Sequence, residues 1–529
     1  MPSPGRVRVA AGLCTGETAV NNSQISKGVV LSFVAQGVAI LVNLVYTPLM
    51  VRILGQNEYG LYQLVQSVVN YLNLMNFGFT GAYISFYSRE RAKPDAEEGV
   101  ARLNGMFLRV FLIITLACVL AGLFLVNHIH LLGSRLTEEE YGKAGTLMIL
   151  LVLNLAVSFP NSVFTVYIAA RERFVFKQGV TILNYVLIPL CNLPLLYMGF
   201  GSVGVAAATL GLALLRLGLN MYYCLGRLRM KFRFGRFDRT LFAALAGFTF
   251  FIFLSDIVDQ MNTNVDKFLL GRMIGTGAVA VYSVGFELST YYTFCSWAVS
   301  EMFVPEANRI AVEERDNAKL TELFTRIGRY NNYILLLIQT GFFLAGKAFI
   351  RLWVGDGYDD AYWVGVILML ARYIPAVQTM GVTIQNAKDM HRPRSVIYFG
   401  IACVNVAVSV LLIRLWGVVG TSLGTLAAVA LGAGIFMNIY YHRRIGLDVF
   451  FFWKALIRWI VLAAALCGGV RLAVRRIPLD TWPRFLLFIA AYSAVYLLVL
   501  WTVGMKKEEK AEIRNLLSGF RSGKSKARV

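Results

Sequence analysis

Charge is what this chain has least of. Asp, Glu, Lys and Arg make up 15% of its 529 residues, against about a quarter in soluble proteins. Acidic residues are the scarcer kind, 30 against 51 basic. The four histidines form no ligand cluster. Seven cysteines (Cys14, Cys118, Cys191, Cys224, Cys295, Cys403 and Cys467) are scattered without metal or redox spacing, most of them inside apolar runs. They read as small core residues. There is no P-loop and no nucleophile elbow. No catalytic residues, no metal and no cofactor are therefore expected, and the chain is not expected to be an enzyme. Residues 1–26 are polar and Gly-rich and lack the basic, apolar and cleavage regions of a signal peptide. The first apolar run is too long for a signal and is expected to be retained.

What the chain does have is apolar surface. Hydrophobic residues make up 57%, the mean hydropathy is +0.61, and there are 36 Phe, 25 Tyr and 8 Trp. A single soluble core stops growing near about 250–300 residues, so this much apolar sequence needs lipid as its solvent. Aromatic residues suit the membrane faces and interfaces. Reading for the ~20 residues that cross a bilayer, the segments are 29–50, 61–86, 104–127, 145–169, 177–198, 203–226, 241–262, 278–303, 330–350, 361–385, 394–415, 418–441, 453–473 and 484–504. The fold class is all-α integral membrane, with about fourteen transmembrane helices.

The formal charge of +21 would suggest nucleic acid in a soluble protein. Here the basic residues sit mostly between apolar segments, so topology accounts for them and no nucleic-acid partner is expected. Roughly 36 of them fall on the N-terminal side of the membrane and roughly 12 on the other, which by the positive-inside rule puts both termini in the cytoplasm. Arg471, Arg475 and Arg476 run against that pattern.

The chain repeats itself at an offset of 216 residues. Leu54-Gly55 matches Leu270-Gly271, Gly201 and Gly204 match Gly417 and Gly420, and Thr209-Leu210 matches Thr425-Leu426. Each unit covers six spans, an even number, so the copies share one orientation and form a parallel repeat. The expected organisation is a cytoplasmic N-terminal segment (1–28), an N-lobe of helices 1–6 (29–226), a basic cytoplasmic linker (227–240), a C-lobe of helices 7–12 (241–441), helices 13–14 (442–504) and a basic cytoplasmic tail (505–529). The tail mixes apolar and basic residues, as a segment lying on an anionic leaflet does and as a plain topology signal also does.

Gly199-Phe-Gly-Ser-Val-Gly204 spells a dinucleotide fingerprint, but that motif needs a strand before it. Between two apolar helices it reads as a tight turn. Polar residues form stripes: Ser32, Gln36, Asn43 and Thr47 on segment 1; Gln63, Gln66, Ser67, Asn70 and Asn73 on segment 2; Asp256, Asp259, Gln260, Thr263, Asp266 and Lys267 on segment 7; Ser283, Glu287, Thr290 and Glu301 on segment 8. One stripe would suit interhelical hydrogen bonding. Four, on the first two helices of each repeat, favour a hydrated cavity between two lobes. The deepest ionisable residues are Arg216, Asp259, Glu287 and Arg372. Such groups face the bundle interior, as part of a site or as buried pairs. Pro160, Pro189 and Pro194 should kink their helices.

Val51-Arg-Ile-Leu-Gly-Gln-Asn-Glu-Tyr-Gly-Leu-Tyr62 resembles the opening signature of the polysaccharide transporter family, the Wzx-type flippases. Asn76-Phe-Gly-Phe-Thr-Gly-Ala-Tyr83, shortly before Arg89, resembles its second-helix pattern. Val265-Asp-Lys-Phe-Leu-Leu-Gly271 followed by Ala278-Val-Ala-Val-Tyr282 resembles its seventh. The resemblance implies a MATE-like, V-shaped fold of two six-helix lobes plus two C-terminal helices. It also implies transport of undecaprenyl-diphosphate-linked oligosaccharide to the outer leaflet of the plasma membrane, for surface polysaccharide biosynthesis by alternating access.

The partners are then the lipid-linked oligosaccharide and membrane lipids, with polysaccharide-assembly proteins as candidates. Cavity candidates for substrate are Arg216, Arg372, Arg89, Lys267, Gln36, Asn43, Asn70 and Asn73; candidates for ion coupling are Asp256, Asp259 and Glu287. Alternatives are a lipid II flippase, a MATE-type multidrug or cation antiporter, a non-transporting membrane scaffold and a polysaccharide polymerase. Segment 1 carries no charge, unlike lipid II flippases, which tend to place arginines there. Deep arginines suit an anionic diphosphate better than a cationic drug. The short exterior loops speak against a polymerase.

Overall fold

The computed structural model describes residues 17–511 and 514, apart from 134, 236–238, 315, 389, 391 and 475–477. For 17–27, 29–30, 239–252, 392 and 474 it describes the backbone alone. Cys14, Arg475, Arg476, most of the N-terminal segment and most of the basic tail therefore lie outside the described residues.

Every regular element among the described residues is helical, as it must be where lipid leaves backbone groups no other partner. The α-helices are α1 (Glu17–Leu72), α2 (Phe79–Arg91), α3 (Ala96–Asn127), α4 (Glu138–Ala170), α5 (Phe174–Tyr197), α6 (Gly201–Tyr222), α7 (Arg239–Met273) and α8 (Thr276–Glu301). They continue with α9 (Val304–Arg309), α10 (Asn317–Val354), α11 (Asp359–Val377), α12 (Thr379–Ala387), α13 (Arg392–Val429), α14 (Met437–Tyr440), α15 (Val449–Val474) and α16 (Trp482–Val499). Ten helical stretches are long and apolar enough to cross a membrane. Two of them, Leu31–Arg91 and Pro393–Ile445, run to 61 and 53 residues, more than twice the ~20 that one crossing needs.

The breaks in these long stretches have local causes. In α1 the helix is interrupted at Gly55, with φ 75° and ψ 171°, a conformation open to glycine. Segment 61–86, read from sequence as one span, is not continuous. α1 ends at Leu72, one 3-10 turn follows, and Phe77 and Gly78 take the left-handed conformation before α2 starts. In α13 the break falls at Trp416 and Gly417. Gly417 has φ +55° and Gly201, 216 residues earlier, has φ +59°. The GFGSVG stretch is a tight link between α5 and α6, with no strand before it.

The described chain forms two compact units. The first comprises Met1–Thr47, Leu72–Asn127 and Gly145–Ile252. Within it α2 packs on α3 and α5 on α6. Aromatic rings fill its core, among them Tyr83 edge-on to Phe107 at 4.9 Å. The linker after α6 is docked: Arg233 N–H donates to Ala101 O at 2.9 Å, and Asn104 donates to Lys231 O at 3.0 Å. The six described cysteines of the chain are free, and Cys403 is exposed where the sequence suggested core.

The second unit comprises Pro48–Tyr71, His128–Ala144 and Phe253–Val529. Chain passes into it inside α1 at Pro48, which lacks the N–H to continue the helical ladder. Its centre is α8 against α11, with α10 packed on α11, α15 and α16. Glycines let these backbones approach: a Cβ on Gly285 of α8 would lie 2.8 Å from Ala361 O of α11. α10 begins at an Asp316 N-cap that accepts from Ala318 and Lys319 N–H.

The opening signature within α1 packs on the seventh-helix pattern in this unit. A Cβ at Gly60 would sit 1.9 Å from Thr276 O, and one at Gly271 would sit 2.5 Å from Leu64 Cδ1. Gln56 donates to Gly277 O at 3.3 Å, and Thr276 donates to Glu140 at 2.8 Å. Because the neighbour of Gly60 is backbone, no rotamer change relieves a side chain there. Gly60→Val is expected to destabilise the protein by about 1–3 kcal/mol or more, as overpacking does, seen as a lowered thermal midpoint. Gly37→Ala, with nothing within 4 Å of the new Cβ, is the neutral control. Equal midpoints for the two variants would show that the seam is looser than this.

Candidate functional site

The second unit holds two cations inside the helices that form its centre. Arg372 lies 13 residues into α11, roughly 20 Å along it. Its Nη1 donates to Thr290 Oγ1 of α8 at 3.0 Å, and its guanidinium lies 4.4 Å from the centre of the Phe286 ring. Lys267 of α7 lies 5.3 Å from the same ring and donates to Gln63 Oε1 at 3.0 Å. Gln63 in turn donates to Tyr59 Oη at 3.0 Å. Glu287, one residue beyond the shared ring, accepts from Tyr291 Oη and is within electrostatic reach of Lys267. Neither Lys267 nor Arg372 forms an ion pair with any described residue. Their hydrogen-bond partners are an amide and a hydroxyl, and the carboxylates of Glu287 and Asp266 act on Lys267 and Arg372 only at electrostatic range; a cation at membrane depth costs at least about 2.5–3.5 kcal/mol.

Beside them runs a ladder of amides. Gln66 donates to Asn70 at 3.0 Å, Asn70 to Asn264 at 3.2 Å, and Asn264 to Gln260 at 2.6 Å. Here the stripes of α1 and α7 satisfy one another, which is the interhelical bonding that a single stripe would have suggested. Two residues beyond Asn264, on the polar stripe of segment 7, lies the most buried acid among the described residues, for which the sequence suggests no role. Asp266 is 1% exposed. Its Oδ2 accepts from Tyr282 Oη at 2.7 Å and Thr425 Oγ1 at 3.0 Å, while its Oδ1 has no hydrogen-bond partner among the described residues. Its place inside the Val265–Gly271 motif was the available signal.

Further along α11, Pro375 interrupts the helical ladder and Gln378 separates α11 from α12. A cavity of about 550 Å³ opens there, lined by Trp297, Glu301, Asn308, Gln378, Asn386, Arg394, Tyr398 and Tyr441. Arg394 sits 5.3 Å from the Tyr398 ring and within electrostatic reach of Asp259. Of these residues the sequence reading had named only Glu301 and Asp259. Trp297 is an aromatic residue on α8 outside its polar stripe, and the others lie on elements without such a stripe, so periodicity could not find them.

The structure brings Asn70, Lys267, Glu287 and Arg372 together in the second unit, with Asp256 half-buried and Asp259 exposed on α7. The remaining candidates belong to the first unit. Arg216 on α6 has a buried Nε without a hydrogen-bond partner among the described residues and lies within electrostatic reach of Tyr185. Gln36 and Asn43 are half-buried on α1, and Asn73 is exposed. Arg89 is exposed, 5.3 Å from the Phe86 ring.

Comparisons with known proteins agree with this architecture. The chain is 22% identical over 417 residues to the probable flippase AglR of Haloferax volcanii, covering 78% of this chain and 82% of that protein. It is 22% identical over 245 residues to the amylovoran biosynthesis protein AmsL of Erwinia amylovora, covering 45% of this chain and 59% of that one. Among solved structures, the inward closed lipid II flippase MurJ superposes with a TM-score of 0.73 at 14% identity, covering 89% of this chain and 97% of that one. An inward-facing MATE family multidrug transporter of the MOP superfamily superposes with a TM-score of 0.62 at 14% identity, covering 78% and 98%. The profile of the polysaccharide biosynthesis protein family matches residues 49–362, more than half of the chain. This multi-pass integral membrane protein, folded like the MurJ and MATE transporters, belongs to the polysaccharide biosynthesis protein family.

Proposed function

We propose that this protein is a flippase that carries undecaprenyl-diphosphate-linked oligosaccharide from the cytoplasmic to the outer leaflet of the plasma membrane by alternating access. The observation that carries the reading is the pair Lys267 and Arg372, two cations with no acidic hydrogen-bond partner among the described residues. A diphosphate is the ligand that suits them, because guanidinium offers paired hydrogen bonds to phosphate oxygens. The cavity along α11 supports the sugar end of the assignment. Its indole and phenol faces beside amide groups suit a ring with apolar faces and polar edges. A cation exporter would be expected to gather acids at this depth, and Arg372 argues against it.

The test uses proteoliposomes loaded with a lipid-linked oligosaccharide. The sugar should become accessible to a membrane-impermeant glycosidase only when the protein is present. Transport of lipid II alone, or of organic cations alone, would overturn the substrate. No transport of any lipid-linked sugar would favour a scaffold.

The reading requires both termini in the cytoplasm and about fourteen crossings, as the basic residues imply. Reporter fusions should place Lys231 inside and Gly355 outside; the reverse labelling would invert the cycle. Asp256, Asp259 and Glu287 are proposed for ion coupling, since the first two share α7 with Lys267 and Glu287 on α8 lies within its electrostatic reach. Asp259→Asn and Glu287→Gln should each change how the transport rate depends on pH or on the sodium gradient. Unchanged transport and unchanged dependence in both variants would remove them from the cycle.

A further inference from the structure

A second basic cavity lies on the flank of the second unit. It measures about 400 Å³ and is walled by Arg329 and Tyr333 of α10, by Lys454, Arg458 and Trp459 of α15, and by Lys506 after α16. It faces away from the transport cluster. Asn331 points from α10 toward α8 and α11, donating to Ser300 Oγ at 3.0 Å and to Ala376 O at 3.4 Å. Arg329, two residues earlier, is turned by about 200°.

The charges in this cavity do not cancel. Arg329 is 6% exposed and its Nη2 is bound to Glu509 Oε2 at 3.0 Å and Tyr333 Oη at 2.6 Å. Glu509 is equally buried and also accepts the N–H of Lys506 at 2.9 Å. That pair closes the floor and is neutral. Lys454, Arg458 and Lys506 remain, all exposed, and none has an acidic partner among the described residues. Lys454 and Arg458 are one turn apart on the same face of α15. Around them the surface is apolar: Phe451 is 49% exposed and Val503 45%. Three unpaired cations at the mouth of a cavity, flanked by side chains that lipid must cover, match a phosphate head group with acyl chains attached.

We propose that this cavity between α10, α15 and the end of α16 binds the phosphate head group of an anionic membrane phospholipid. The lipid bridges α15 to the segment after α16 through Lys454, Arg458 and Lys506. It thereby holds the last two membrane helices against α10, independently of the transported substrate.

The test uses the full chain in a neutral detergent, with its thermal midpoint and bound lipid (by native mass spectrometry) read on titration with phosphatidylglycerol. Phosphatidylglycerol should raise the midpoint and remain bound. Phosphatidylcholine should do neither. In the triple variant Lys454→Gln/Arg458→Gln/Lys506→Gln the affinity should fall on the order of 100-fold, since each basic residue at an anionic surface contributes roughly fivefold. The variant leaves the Arg329–Glu509 pair intact, so its midpoint without lipid should match the wild type. Undiminished binding by the variant would overturn the site. The same gain from inorganic phosphate alone would make it a free-anion site, and a gain only from a diphosphate-linked sugar lipid would make it a substrate site; either result overturns the proposal. Flipping in vesicles of neutral lipid should persist in the variant, which separates this outcome from failure of the transport reading.

Discussion

Arg372→Ala is expected to cut flipping roughly 10–100-fold at limiting substrate while leaving the protein folded and inserted. Its guanidinium is held by one hydroxyl and one ring face, so removing it breaks no salt bridge; the buried Asp266 lies within electrostatic reach only. A cation without a salt bridge at membrane depth is itself unfavourable by at least about 2.5–3.5 kcal/mol, and its loss should not lower the yield of folded protein. On the proposed diphosphate substrate the loss is a charge-assisted contact to phosphate, worth about 1.5–3 kcal/mol, or roughly 10–100-fold in transport at limiting substrate. Arg372→Lys should recover part of this, because an ammonium cannot reproduce the two-pronged contact. Lys267→Ala should fail similarly, since it shares the Phe286 ring with Arg372. Arg216→Ala is expected to insert normally and lose transport, its Nε being buried without a hydrogen-bond partner among the described residues. The competing account makes these arginines structural. It would show as Ala variants that lose folded protein and are restored by a charge-neutral double change. Full transport by Arg216→Ala/Arg372→Ala would eliminate both as the anion site.

A second large effect is expected from Leu64→Cys combined with Gly271→Cys. A Cβ at Gly271 lies 3.1 Å from Leu64 Cγ, so the two cysteine Cβ atoms should fall near the ~3.5–4.5 Å that a disulfide spans. If the alternating-access cycle includes an opening of the seam between the opening signature and the seventh-helix pattern, both in the second unit, the cross-link holds it shut. Oxidation should then stop flipping, and a reductant should restore it. Each single-cysteine variant should be indifferent to oxidant. Exposed Cys403 should first be changed to Ser to keep the readout clean. A cross-linked protein that flips at the uncross-linked rate would show that this seam stays shut throughout, and would rule out an opening there as part of the cycle.

What can be read from the sequence follows from chemistry local to a segment. Scarce charge and long apolar runs require a membrane and, with it, helices, because lipid leaves the backbone no other partner. Gly199 and Gly201 mark a tight turn since no strand precedes them, and their φ values of +83° and +59° bear that out. Gly201 and Gly417, 216 residues apart, both have positive φ. Period alone was enough to put Lys267, Glu287 and Asn70 on polar faces.

Which of those faces meet is a matter of long-range packing, and there the sequence is silent. Asn70 bonds to Asn264, 194 residues away, so part of what reads as cavity lining is interhelical bonding. Phe286, an ordinary apolar residue in sequence, becomes the ring shared by two cations. Asp266 looks like one acid among three on α7, yet Tyr282 and Thr425 enclose it. Gln378, Trp297 and Arg394 line a cavity beside the C-terminal end of α11, which stops at Val377 just after Pro375. Arg329 finds Glu509 across 180 residues, leaving Lys454, Arg458 and Lys506 as the free charges of that flank. Composition and period thus determine solvent, helix and face. The partner of each face is decided only when helices distant in sequence are packed, because the free energy of a buried charge depends on its neighbours in space.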